Sequence, residues 1–140
     1  MRTLAMLLIA GLMVACGGDS STAPTVDNSF IGSFTLKTIN GQRLPYVIAQ
    51  SGNNSVTVTV DHMVIADGGS WTEVATYTVV TNGTSVTQIG GGGGTWIRTG
   101  NALGLTDGAT NQLSYTGTFA NGTLTMNGAG STDYTFVWSR

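Results

Sequence analysis

The 140-residue sequence has few of the residues that enzymes and metal proteins depend on. It contains one cysteine, one histidine and two prolines, and 9% of its residues are charged, against about 25% in an ordinary soluble domain. One cysteine excludes an internal disulfide, and the lack of His or Cys clusters leaves no ligand set for a transition metal. Five basic residues against seven acidic ones do not make a surface for nucleic acid. We therefore expect no cofactor, no metal and no nucleic-acid partner.

The first sixteen residues predict the cellular compartment. Arg2 precedes an apolar run from Leu4 to Val14, and Ala15 stands directly before Cys16. At about 1.5 Å per residue this run is too short to cross a hydrocarbon core of about 30 Å. It is typical of the apolar part of an export signal.

The residues around the cysteine resemble the signal and lipobox of bacterial lipoproteins. Ala15 fits that motif, while Met13 stands where the family favours Leu and Leu12 lies one place earlier. The resemblance implies that residues 1–15 are a signal peptide and that Cys16 carries acyl chains such as palmitate, with the membrane as partner. Gly17 after the cysteine favours the outer membrane. The alternative is an ordinary secretory signal that is cut near Ala15 and leaves a free thiol.

The remaining chain predicts a tether and one all-β domain. Residues 16–28 are small and polar with one proline, which is typical of a flexible spacer. Residues 29–140 alternate polar and apolar side chains in short segments. We expect an antiparallel up-and-down meander of eight or nine strands that closes into a small lipocalin-like barrel, with the last strand paired against the first. Turns are predicted at Asn40-Gly41, Gly52-Asn53-Asn54, Asp67-Gly68-Gly69, Asn82-Gly83, Gly100-Asn101, Asp107-Gly108, Asn121-Gly122 and Asn127-Gly128.

Alternation also predicts which side chains point inward. In the second strand it places Val58 and Val60 inside and Asp61 outside. The following residues, 63–65, are apolar on both faces, which favours either a bulge near residues 61–62 or a partner surface. The run Gly90 to Gly94 lacks the lysine and the helix of a phosphate loop, and we expect a flexible loop at a barrel mouth.

The folded segment is similar to small uncharacterised bacterial lipoproteins with a lipocalin-like barrel. The similarity lies in the segment from Phe30 to Gly41, in Gly94-Thr95-Trp96 and in a closing meander from Leu113 to Trp138. It implies a barrel in the cell envelope. Phe34 stands where a true lipocalin has tryptophan, so no particular ligand is implied.

Aromatic residues are the candidate ligand-binding side chains. In an eight-strand barrel, inward aromatic rings either fill the interior or line a pocket for one small apolar ligand. We also expect the guanidinium groups of Arg98 and Arg140 to stack over the indoles of Trp96 and Trp138. The candidates are Trp71, Tyr77, Trp96, Tyr115, Phe119, Tyr134, Phe136 and Trp138.

Three functions remain open at this stage. The first is a lipid-anchored, non-enzymatic envelope protein whose barrel binds a small apolar ligand. The second is a protein-interaction or inhibitor module that acts through loops at residues 40–54 and 90–94. The third is a hydrolase centred on His62. Spacing brings neither Glu73 to Asp67 nor Asp107 to Asp133, so paired-carboxylate chemistry is not expected.

Overall fold

The computed structural model describes residues 28–130 and 134–140, which form one antiparallel sheet and a short 3-10 helix. Among these residues no helix has the length and apolar character that a membrane span requires. The elements in chain order are η1 (Asn28–Phe30), β1 (Gly32–Ile39), β2 (Gln42–Arg43), β3 (Tyr46–Ser51), β4 (Asn54–Ile65), β5 (Ser70–Thr81), β6 (Thr84–Thr99), β7 (Ala102–Asp107), β8 (Leu113–Ala120), β9 (Thr123–Gly128) and β10 (Thr135–Ser139).

Eight of these strands close into a barrel. Strand β1 pairs with β10 on one side, where Leu36 lies opposite Trp138, and with β4 on the other, where Phe34 lies opposite Met63. Between them β4 to β10 follow one another as a meander, while β2 and β3 are added to β1 and β4. The predicted all-β, up-and-down barrel with its last strand against its first is confirmed.

Asn-Gly pairs make three of the tight connections. Asn40-Gly41, Asn82-Gly83 and Asn121-Gly122 all have positive φ at both residues, which is the geometry of a type I′ hairpin turn. Asn127-Gly128, also predicted as a turn, instead ends strand β9. Asn127 pairs with Thr135 and Thr116 on the two neighbouring strands, and Gly128 pairs with Tyr115, so sheet pairing includes the dipeptide.

A bulge in β4 changes which residues point inward. The register between β4 and β5 shifts between Val58 and Val60, and an extra residue at such a point reverses the alternation that follows. Val58 is therefore buried, Val60 is 43% exposed, and Asp61 is 3% exposed. The prediction of a bulge is confirmed slightly earlier in the strand, whereas the predicted faces of Val60 and Asp61 are wrong.

The glycine run is part of a strand, so the predicted loop is wrong. Residues Gly90 to Gly94 lie in β6 and pair with residues 71–75 of β5. A Cβ at Gly90 would lie 3.2 Å from Cε2 of Tyr77, and one at Gly92 would lie 3.4 Å from Cη2 of Trp71. The glycines thus leave room for two aromatic rings rather than providing flexibility.

One end of the barrel is closed by η1. Phe30 is fully buried there, and its ring meets Trp96 edge-to-face at 4.7 Å. Arg140 donates hydrogen bonds to the backbone carbonyls of Ser29 and Ile31, which ties the last strand to the start of the domain. We call this region the closed end.

The two arginines of the closed end stack over phenyl rings. The guanidinium carbon of Arg98 lies 4.6 Å from the centroid of Phe30, and that of Arg140 lies 5.2 Å from the centroid of Phe34. The prediction that they stack over Trp96 and Trp138 is wrong. Phe30 projects into the barrel from η1 and lies under Arg98, where the prediction placed the indole of Trp96.

Candidate functional site

The opposite end of the barrel contains a cavity of about 530 Å³. It lies beyond the end of β7. Strands β6 and β7 pair as far as Gly94 and Asp107, and past this point the part of β6 from Gly93 back to Thr84 has no β7 residue beside it. We call this region the open end. Its wall consists of Trp71, Glu73, Tyr77, Gly91, Gly92, Asp107, Thr110, Gln112, Leu113, Ser114, Tyr115, Gly128, Ala129, Tyr134 and Phe136.

The structure separates the eight aromatic candidates into three groups. Trp96 and Phe119 lie at the closed end around Phe30. Trp138 is fully buried in the core and stacks on Phe136 at 5.4 Å. The remaining five line the cavity; they are Trp71, Tyr77, Tyr115, Tyr134 and Phe136.

Tyr115 is the centre of the aromatic wall. Its ring meets Trp71 at 5.9 Å, Phe136 at 5.7 Å and Trp138 at 5.6 Å, each nearly perpendicular. Such edge-to-face contacts are the preferred arrangement of neighbouring rings. The indole N–H of Trp71 also donates to the carbonyl of Thr106 at 3.0 Å. The wall is therefore held by contacts from β5, β7, β8 and β10.

Glu73 adds a carboxylate to this wall. It shares the inward face of β5 with Trp71 and Ala75, and the hydroxyl of Tyr115 lies 3.0 Å from both of its carboxylate oxygens. Sequence reasoning considered Glu73 only as a partner of Asp67. Its parity with Trp71 and Tyr77 was the signal that places it inside the barrel.

Asp61 lies beside Glu73 but is not part of the cavity wall, whose other acidic residue is Asp107. Burial raises the pKa of Asp61 to about 8, with further contributions from the charge of Glu73 and from a hydrogen bond between the two side chains. The nearby Trp138 indole opposes part of this increase. Asp61 Oδ1 and Trp138 Nε1 are nonetheless buried without a hydrogen-bond partner among the described residues.

The phenols around the acidic pair stay protonated. Burial raises the pKa of Tyr115 well above its usual range, and Glu73 raises it further through its charge and its hydrogen bond. Burial, followed by the charges of Glu73 and Asp61, also raises the pKa of Tyr77. Both hydroxyls therefore remain hydrogen-bond donors.

The charge of the site is one-sided. Asp61 stays protonated at neutral pH, because its burial and the nearby charge of Glu73 raise its pKa to about 8. The described residues that line the cavity include no Lys, Arg or His. The carboxylate therefore has no cationic partner in that lining.

His62 is not near this site. It lies exposed on the outer face of β4, and its Nδ1 is 3.3 Å from the hydroxyl of Thr35, while the adjacent Asp61 points to the interior. Across residues 28–130 and 134–140, no group of three or more His, Cys, Asp or Glu side chains could hold a metal ion.

Comparison with known proteins adds no relative. No family profile, curated protein or solved structure matches the chain significantly. The eight-strand antiparallel barrel is compatible in shape with a lipocalin-like barrel. Cys16, the signal residues 1–15 and the tether up to residue 27 lie outside the described part of the chain. Their roles stay predictions.

Proposed function

We propose that this protein is a lipid-anchored, non-enzymatic binding protein of the bacterial cell envelope whose barrel binds a small, largely apolar molecule. The cavity at the open end is the observation that carries the proposal. Its volume of about 530 Å³ lies within the range of about 300 to 1,000 Å³ that is usual for small-molecule sites. Tyr77 and Phe136, both partly exposed, supply apolar area, while Glu73 and Tyr115 supply convergent polar groups.

The position of the cavity fits a tethered binding protein. The predicted tether runs from Cys16 to η1, and η1 closes the end of the barrel opposite the cavity. An anchor at Cys16 would therefore attach the membrane to the closed end. The open end would face away from the lipid, where a molecule in the surrounding water can enter.

Binding of a neutral apolar fluorophore tests the proposal. The full chain in non-ionic detergent micelles, titrated with N-phenyl-1-naphthylamine, should give a saturable, one-to-one fluorescence increase above a micelle blank. Gly92→Leu should remove it, because the new side chain extends from the cavity wall beside Trp71. Thr116→Leu, which adds the same side chain at an exposed position of β8, is the matched control. A wild-type signal no larger than the blank would show that the cavity does not bind a neutral apolar molecule of this size.

A protein-interaction module is the second candidate, and one observation favours it. From Thr84 to Gly92, β6 pairs only with β5 among the described residues, so its other edge is free. Ile89 is 75% exposed and Val86 is 52% exposed along this edge. Free edges of this kind accept an extended segment of another protein.

Substitution on that edge tests the second candidate. Immobilised full chain should retain a defined envelope protein, and Ile89→Lys should release it because a charge at the edge opposes strand addition. Ile97→Lys, at a position that is 67% exposed where β6 already pairs with β7, is the control. Equal retention by both variants would exclude the edge as the contact.

A further inference from the structure

We infer that the cavity at the open end takes a small organic cation, a protonated amine on an apolar or aromatic body, with Glu73 as its charge partner. The inference rests on the proposed function and adds the charge class of the ligand. It depends on three independent features of the open end, which are an uncompensated carboxylate, a buried polar atom without a partner and an aromatic wall.

The uncompensated carboxylate belongs to Glu73. Tyr115 donates to it from one side, and a carboxylate has about four acceptor positions, so others are free to face the cavity. The cavity lining described above contains no basic side chain. A neutral apolar ligand would remove water from this charge without replacing it, which is unfavourable. An anionic ligand would be repelled, whereas an ammonium group compensates the charge.

The buried polar atom belongs to Asp61. Its side chain is 3% exposed, and its Oδ1 has no hydrogen-bond partner in the described chain. It lies beside Glu73, and the charge of Glu73 opposes its ionisation. A cation at Glu73 favours the ionised form of Asp61. Binding of the cation should therefore release the proton of Asp61.

The aromatic wall suits the rest of the ligand. The rings of Trp71, Tyr77 and Phe136 border the same cavity as Glu73. Tryptophan and tyrosine faces attract ammonium groups, and their area also binds an apolar body. At the closed end the corresponding rings, Phe30 and Phe34, are already covered by arginines. No arginine is among the described residues that line the cavity, so a cationic ligand can take the place over these rings that an arginine takes at the closed end.

Coupling to Asp61 makes binding depend on pH. The titratable groups that face Asp61 are Glu73 and Tyr77 from β5 and Tyr115 from β8, and the Trp138 indole faces it from β10. Below about pH 8 Asp61 holds its proton, and a bound cation displaces it. Affinity should therefore increase from pH 6 to 8, by at most about tenfold per pH unit for one released proton.

Three probes with one body and different charges test the inference. Phenethylammonium, 2-phenylethanol and hydrocinnamate are titrated by calorimetry into the full chain in non-ionic micelles, with a micelle blank. We expect the ammonium to bind at least about tenfold more tightly than the alcohol, which corresponds to about 1.4 kcal/mol, and the carboxylate to show no saturable binding. The pH series uses benzyltrimethylammonium, whose charge does not change with pH.

Variants connect the charge preference to the two carboxyl groups. Glu73→Gln should remove the preference for the ammonium, and Asp61→Asn should remove the pH dependence and the proton release. Asp67→Asn changes the net charge equally at an exposed turn and should change neither. If a variant does not fold, the wild-type probe series still decides the question.

The outcomes separate this inference from the proposed function. Equal or tighter binding of the alcohol or the carboxylate overturns the inference and leaves the binding protein in place. Binding of the neutral fluorophore alone does the same. If neither the fluorophore nor any of the three probes binds above the blank, both proposals are wrong.

Discussion

The two ends of the barrel place opposite charges against aromatic rings. At the closed end Arg98 and Arg140 lie over Phe30 and Phe34, and η1 fills the interior with a fully buried ring. At the open end Glu73 lies beside Tyr115, and the cavity that they border has a volume of about 530 Å³.

The difference follows from what enters the barrel at each end. An eight-strand barrel is just wide enough for its own side chains to fill it. At the closed end η1 adds Phe30 to that filling. At the open end Gly90 and Gly92 contribute no side chain where β6 faces the interior. One barrel can thus combine a packed base with a binding cavity without any change of strand number.

The largest expected effect is a dependence of the free energy of unfolding on pH, caused by Asp61. Its pKa is about 8 in the folded protein against 3.8 for the free side chain, so the folded state binds the proton more tightly than the unfolded state. The free energy of unfolding should therefore fall as pH rises from 4 to 8, by at most about 6 kcal/mol at about 1.4 kcal/mol per pKa unit.

Urea denaturation of the full chain at pH 5 and pH 8 measures this slope. Asp61→Asn should flatten the profile, because the amide does not titrate. Asp67→Asn should keep it. A wild-type profile as flat as that of Asp61→Asn would contradict the assigned environment of Asp61.

Removing the buried ring of Phe30 at the closed end should have the next largest effect. Phe30→Ala deletes a ring that is fully buried and contacts Trp96 and Phe119, and it should lower the free energy of unfolding by about 3 to 5 kcal/mol. Ile89→Ala, at a side chain 75% exposed, is the control and should change stability by less than about 0.5 kcal/mol. Similar losses in the two variants would show that η1 does not seal the barrel.

Arg140 provides a smaller test of the same end. Arg140→Met keeps much of the side-chain length but removes the hydrogen bonds to Ser29 and Ile31 and the charge over Phe34. We expect a loss of about 1 to 2 kcal/mol in denaturant unfolding. Arg43→Met, at an exposed position in β2, should be nearly neutral. A neutral Arg140→Met would mean that the ring contact between Phe30 and Trp96 alone closes this end.

The smallest effect concerns the glycines of the open end. Gly90→Ala puts a methyl group 3.2 Å from the Tyr77 ring, so the ring must shift by a few tenths of an ångström. We expect a loss below about 1 kcal/mol, together with weaker binding of the fluorophore. Thermal unfolding and the fluorescence titration check this, with Thr116→Ala on the outer face as control. Unchanged binding would show that this glycine does not shape the cavity.

The barrel itself could be predicted because its signals are local. Alternation placed Phe34, Leu105 and Met126 inside, and all three are buried. Asn-Gly turns at residues 82–83 and 121–122 were recognisable because few other dipeptides adopt two successive positive φ angles. The closure of β1 against β10 followed from the need to cover both sheet edges.

The acidic pair could not be predicted because it depends on pairing between strands. A single bulge before Val60 turns Asp61 inward, and no pattern within β4 gives its exact position. The contact with Glu73 further requires the register between β4 and β5. The inward position of Glu73 could be predicted, because it alternates in step with Trp71 and Tyr77 along β5. The glycine run was misread because glycine suits a flexible loop and a strand beside bulky rings equally well.

The stretch of β6 that runs beyond the end of β7 has a further consequence. Alternate amides between Thr84 and Gly93 bond to β5, and those between them face outward. Deuterium uptake along this short segment should consequently rise and fall residue by residue. Exchange at the outward-facing amides would slow first if a strand of another protein paired with this edge. A ligand inside the barrel would leave the alternation of exchange rates unchanged.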